Sequence, residues 1–200
     1  MKKVFFIFLG LTIFSLSLTV LYLCMRAVMA VGGYCAEGGP YVIATHCPGG
    51  TGWLTPLSIF VMLGGGALYF IYNATVKNSP QWGYLFWSAL FLALGWNFLE
   101  LGLFHPPGVT SDPGWLICAV LFIIMGGGPL FAWPLTMKYG YSKSGANNED
   151  MSLMGIIFGK KSQNPVLGTP FYESQIFLVL IHFIALAAGI YLGYQIFINS

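Results

Sequence analysis

Five stretches of this chain are almost unbroken apolar sequence: Val4 to Met25, Leu54 to Tyr72, Trp82 to Phe104, Trp115 to Pro134, and Gln175 to Phe197. A run of about 20 such residues, rising as a helix, matches the roughly 30 Å hydrocarbon core of a bilayer. Inside hydrocarbon no water is present to satisfy backbone N–H and C=O groups, so a single segment crosses only as a helix that pairs them internally. The expected fold is therefore all-α, a polytopic transmembrane helix bundle of five predicted spans, and residues 1–200 form a single integral membrane domain. Turn-rich segments separate the spans, such as Asn78, Ser79, Pro80 and His105, Pro106, Pro107, Gly108.

Composition supports this solvent. The chain is 57% hydrophobic and 7% charged, against roughly 45–50% and about 25% in soluble domains. So few charges cannot coat a water-facing surface. Aromatic residues at 17%, including six tryptophans, suit helix ends lying among headgroups. A net charge of +2 without clustered Lys or Arg argues against nucleic acid as a partner. The expected partners are the lipid bilayer and either a second copy of the chain or another membrane protein.

Met1, Lys2 and Lys3 before an apolar run resemble the start of a secretory signal, with Val28 and Ala30 as small residues before a cut. The apolar region of such a signal is about 7 to 15 residues, and Val4 to Cys24 is longer. In a lipoprotein reading of Leu21, Tyr22, Leu23, Cys24, the bulky Leu23 stands where a small residue is needed. The segment reads better as a retained membrane anchor.

Basic residues orient the bundle, because Lys- and Arg-bearing loops stay on the cytoplasmic side. With a cytoplasmic amino terminus, Lys2, Lys3, Lys77, Lys138, Lys143, Lys160 and Lys161 fall inside, and only Arg26 falls outside. An odd number of spans then puts the carboxyl terminus outside. In the connection from Leu135 to Ser174, Asn148 suits a helix cap. Glu149 and Asp150 follow it, then the apolar Met151, Leu153, Met154, Ile156, Ile157 and Phe158, then Gly159, Lys160 and Lys161. Such a helix either lies on the inner membrane face or packs beneath the bundle.

The chain also repeats. Laying Trp53, Leu54 over Trp115, Leu116 without a gap aligns Phe60 with Phe122 and Leu68 with Leu130. It also aligns Gly64, Gly65, Gly66 with Gly126, Gly127, Gly128. Two parallel hairpin repeats plus a fifth helix are expected, an arrangement found in transporters and wherever a hairpin has duplicated. The triplets suit close helix packing. Alternatively they form a loosened segment beside a cavity, a reading to which Pro129 adds a kink. Ala185, Gly189 and Gly193 form a stripe for helix contact or dimerisation.

Polar residues within spans are costly and so are site candidates. Thr12, Ser15, Thr19 and Arg26 share one stripe of the first span, while Asn97 and Glu100, with Trp96, mark the third. These faces are expected to point inward. Topology places Arg26 and Glu100 at a common outer level, as a charged pair that is either a structural clasp or a site for a polar ligand or proton. His182 lies deeper, where no other ligating residue is expected. His46 and His105 are scattered outside, so no metal centre is expected. No cofactor is implied.

Cys35 and Cys47 flank a short external loop, where an oxidising environment favours a disulfide. Closing a loop of that size stabilises a fold by about 3 kcal/mol. Cys24 and Cys118, near outer span ends, either pair or remain inert thiols. The Cys-x-x-Cys signature of thiol oxidoreductases is missing, as are a Ser-His-Asp series, phosphate loop, His-Glu-x-x-His and Rossmann fingerprint. No catalytic residue is expected.

The run Met25, Arg26, Ala27, Val28, Met29, then Gly32, Gly33, Cys35, Ala36, Gly38, Gly39, Pro40, Tyr41 and Cys47, Pro48 resembles a group of uncharacterised polytopic membrane proteins of Gram-positive bacteria. Weaker echoes lie at Trp96 to Glu100. The resemblance implies a bacterial plasma-membrane location and transfers no catalytic residue. Three functions are open at this point: a noncatalytic accessory or interaction protein presenting the stapled loop, a small transporter or channel using the polar intramembrane residues, and a membrane thiol oxidoreductase.

Overall fold

A computed structural model describes residues 1–33, 35, 45–76, 83–104, 113–143 and 175–200. Its described helices are α1 (Lys2–Ala30), α2 (Thr51–Asn73), α3 (Gly83–Leu103), α4 (Pro113–Lys143) and α5 (Gln175–Ile198). All five are long and apolar enough to cross a membrane, and no strand is assigned among the described residues. The chain is a multi-pass membrane protein whose solvent is a lipid bilayer. Phe60, Leu63, Ile71, Ile124 and Tyr191 are each more than 60% exposed, which water would penalise and hydrocarbon does not.

Helix α1 is the hub. It packs along α2 and α5 and touches α3, which in turn packs along α4. Ile7, Leu11, Phe14, Leu21 and Cys24 of α1 are buried, together with Tyr69, Phe86, Leu94, Leu178 and Ala185 from its neighbours. Without a hydrophobic drive between helices in lipid, close backbone approach and dispersion do this work. A Cβ added at Gly10 would lie 2.6 Å from the Tyr69 nitrogen, and one at Gly65 would lie 2.9 Å from the Phe14 nitrogen. In the second hairpin, a Cβ at Gly126 would lie 2.9 Å from the Leu92 nitrogen, and one at Gly102 2.6 Å from the Leu116 side chain.

Contacts fix the directions. Phe14 meets Phe86 with ring centroids 5.5 Å apart, and Arg26 meets Glu100 farther along both helices, so α1 and α3 run the same way. Gly189 and Gly193 of α5 follow Thr12, Leu16 and Thr19 of α1 in the same order, so α5 is parallel to them. Gly95 against Ile123 and Gly102 against Leu116 make α4 antiparallel to α3. Gly10 and Ile13 against Tyr69 and Gly65 make α2 antiparallel to α1. Two parallel hairpins and a fifth helix are what the described residues show.

Several local expectations change. Helix α4 continues past Pro134 to Lys143, through Pro129 as well. Proline removes one donor, yet in a membrane helix neighbouring groups and small backbone adjustments absorb the loss. The glycine triplets do not act as units. A Cβ at Gly64 or Gly128 would meet nothing within 4 Å, and one at Gly66 only ordinary contact with the Phe14 ring. Consecutive helix residues point about 100° apart, so each triplet brings one glycine into close backbone approach, Gly65 and Gly126, while Gly66 is buried beside the Phe14 ring. Gly127 is half-buried. The helix expected from Asn148 onward lies outside the described residues, as do Trp82, Lys77, Lys160, Lys161 and His105.

Candidate functional site

One end of the bundle gathers the polar features. Helix α1 stops where Gly32 and Gly33 turn with φ of 101° and 83°, a left-handed conformation that suits glycine at a helix end. The Gly33 nitrogen donates to the Val28 carbonyl at 3.0 Å, closing the last turn. A Cβ on Gly33 would also press 2.9 Å from Leu101 and 3.1 Å from Trp115, so the exit from α1 runs close over the ends of α3 and α4. Cys35 follows and is disulfide-bonded to Cys47, with Cα atoms 4.8 Å apart. Pro48 then accepts hydrogen bonds from the Thr51 nitrogen at 3.1 Å and the Thr51 hydroxyl at 2.7 Å. The disulfide therefore joins the end of α1 to the start of α2.

Just inside this end, Arg26 of α1 donates through Nη1 to Oε2 of Glu100 on α3. Their side chains are 40% and 32% exposed, so the pair sits at the bundle's edge rather than in its core. One turn deeper is Asn97, with no exposed surface. Neither its carboxamide oxygen nor its nitrogen has a hydrogen-bond partner among the described residues. Trp96 does not share the inward face expected for it. It is 58% exposed, because adjacent helix positions diverge by about 100°.

The other buried polar groups lie deeper. His182 of α5 is fully buried, with Nδ1 2.7 Å from the Leu178 carbonyl and Nε2 3.1 Å from the Tyr69 hydroxyl. A carbonyl only accepts, so Nδ1 carries the proton and Nε2 accepts from Tyr69. This link ties α5 to α2 across α1. Sequence reading did not single out Tyr69, although a tyrosine amid an apolar span needs a partner for its hydroxyl. The hydroxyls of Ser17, Thr19, Thr55 and Ser58 donate to carbonyls one turn back in their own helices. Ser15 reaches both Thr12 and Ala185 carbonyls.

The stripe of Ala185, Gly189 and Gly193 is occupied within the chain. A Cβ on Gly189 would fall on the Ser15 hydroxyl and the Thr12 carbonyl and lie 2.8 Å from the Leu16 nitrogen; one on Gly193 would lie 2.6 Å from the Leu16 carbonyl. Those small residues seat α5 on the polar stripe of α1. Cys24 is buried and Cys118 half-buried, and both are free thiols. His46 is exposed near the disulfide. Among the described residues no three His, Cys, Asp or Glu side chains converge as a metal site would need.

What this arrangement does chemically is hold helices together at polar points, Arg26 with Glu100, Tyr69 with His182, Ser15 with the Ala185 carbonyl and Trp87 with the Met125 carbonyl, while the Asn97 carboxamide below the first has no partner among the described residues. No family model, curated protein or solved structure matches the chain.

Proposed function

We propose that the protein is a noncatalytic accessory or interaction protein of the bacterial plasma membrane, a helical scaffold that presents the loop closed by Cys35 and Cys47 on the outer face. The carrying observation is how the polar groups of the spans pair. Arg26 engages Glu100 and His182 engages Tyr69, each across two helices, and the hydroxyls of Ser15, Ser17, Thr19 and Thr55 bond their own or an adjacent backbone, while those of Thr12 and Ser88 have no partner among the described residues. A bundle braced in this way holds the disulfide at a fixed place above α1 and α2. The distribution of basic residues supports a cytoplasmic amino terminus, with the disulfide end and carboxyl terminus outside.

A photo-crosslinking amino acid placed at Thr45 or His46, beside the disulfide, tests the reading in intact cells. A discrete cross-linked membrane protein, lost on reducing the disulfide, is the expected result. Uniform labelling unaffected by reduction would contradict it.

A second reading is a small transporter, favoured by Asn97, fully buried beneath Glu100 with no hydrogen-bond partner among the described residues. On that reading Glu100→Gln abolishes substrate flux in liposomes while leaving the fold intact. On the scaffold reading it weakens the fold instead.

A further inference from the structure

Helices α1, α3 and α5 are parallel and leave a groove of about 840 Å³ between them, open to the lipid side. Its walls are mostly apolar; α3 lines it with Ala89 and Ala93 above Phe86, and α5 mainly with the larger Leu186, Ile190 and Tyr191. On α1 it extends from Phe14, near that helix's middle, to Leu23. Nine residues of helix rise about 14 Å, close to one leaflet's half of a roughly 30 Å core. Tyr22 and Tyr194 line the groove, and tyrosine suits the boundary where hydrocarbon meets headgroups. The groove is therefore as deep as one acyl layer and lies in the leaflet on the disulfide side.

Charge stands beyond its outer end, on residues past the last ones that line it. On α3, Glu100 lies seven residues beyond Ala93 and thus on nearly the same face. On α1, Arg26 lies one turn beyond Tyr22 in the same way. The two are paired, yet partly exposed. Their salt bridge uses one guanidinium nitrogen and one carboxylate oxygen, and a guanidinium offers five N–H donors in all. An anionic head alone would be drawn to Arg26 and repelled by Glu100. A head carrying both charges is complementary to the pair, its phosphate on Arg26 and its ammonium on Glu100.

We infer that this groove binds one zwitterionic aminophospholipid of the phosphatidylethanolamine type, an acyl chain between α1, α3 and α5 and its head on Arg26 and Glu100. The site goes beyond the scaffold role and does not depend on it.

Native mass spectrometry of the full chain released from detergent micelles tests the inference. The micelles would contain equal amounts of phosphatidylethanolamine and phosphatidylglycerol with matched chains. The expected result is a one-lipid adduct dominated by phosphatidylethanolamine. In the Arg26→Gln, Glu100→Gln double variant, which leaves no unpaired charge, that preference falls about tenfold, the worth of one hydrogen bond to a charged group. Ala93→Phe fills the groove without touching the pair and should remove the adduct of either lipid. Equal adducts of the two lipids on the wild-type protein would overturn the assignment, as would an adduct that survives Ala93→Phe.

Discussion

Gly64 and Gly189 both lie within apolar spans, yet the same substitution at the two should have opposite signs. At Gly189 a methyl group falls on the Ser15 hydroxyl and the Thr12 carbonyl and 2.8 Å from the Leu16 nitrogen. The serine can rotate, but two of these contacts are α1 backbone, so α1 and α5 must separate and the contact at Gly193 is lost with them. Overpacking of this kind costs about 1–3 kcal/mol, occasionally more. Alanine recovers about 0.8–1 kcal/mol of intrinsic helix preference. Backbone against backbone belongs at the upper end of that range, leaving Gly189→Ala about 2 kcal/mol less stable. At Gly64 nothing lies within 4 Å of the new methyl group, so only the helix gain remains and Gly64→Ala is more stable by up to about 1 kcal/mol. Reversible denaturant titration in detergent micelles measures both. Equal stabilities for the two variants, or a stable Gly189→Ala, would refute the α1–α5 packing.

Three further outcomes follow from particular contacts. Tyr69→Phe leaves Nε2 of the buried His182 without its donor and should cost about 1–3 kcal/mol. Adding His182→Leu should cost less than the sum of the singles in the same titration. Asn97→Leu removes two buried polar atoms with no partner among the described residues and should leave stability unchanged or raised; a marked loss would show that the carboxamide has a partner in the folded protein. Cys35→Ser with Cys47→Ser opens a loop whose closure is worth about 3 kcal/mol. The double variant should lose stability by roughly that amount under oxidising conditions and match the wild-type protein under reducing ones.

The five crossings were legible because length and apolarity are what a bilayer selects. Their mutual faces were less so. Apolar residues surround these helices on every side, so periodicity does not separate the side that meets a helix from the side that meets lipid. That is why Gly64, Gly65 and Gly66 read as one packing element, although only Gly65 makes a close helix contact. Arg26 and Glu100 could be paired on paper because charges within spans are rare and topology placed them at one level. Tyr69 could not be paired with His182 so directly, since tyrosine is common in this chain and its partner lies more than 100 residues away. The α5 stripe showed where a helix would fit, but not that α1 fills it. Helix α4 ran beyond its expected end because a proline in a membrane helix is a weaker stop than in water.

Arg26 and Glu100 brace α1 against α3, and a double-mutant cycle reads that directly. Arg26→Gln, Glu100→Gln and the pair together should be unfolded in micelles beside the wild-type protein. Removing either partner leaves the other charge uncompensated at the bundle's edge, so each single variant should lose stability. The double variant should lose less than their sum, with a coupling of about 0.5–3 kcal/mol. Single losses that add without coupling, or singles as stable as the wild-type protein, would contradict the clasp.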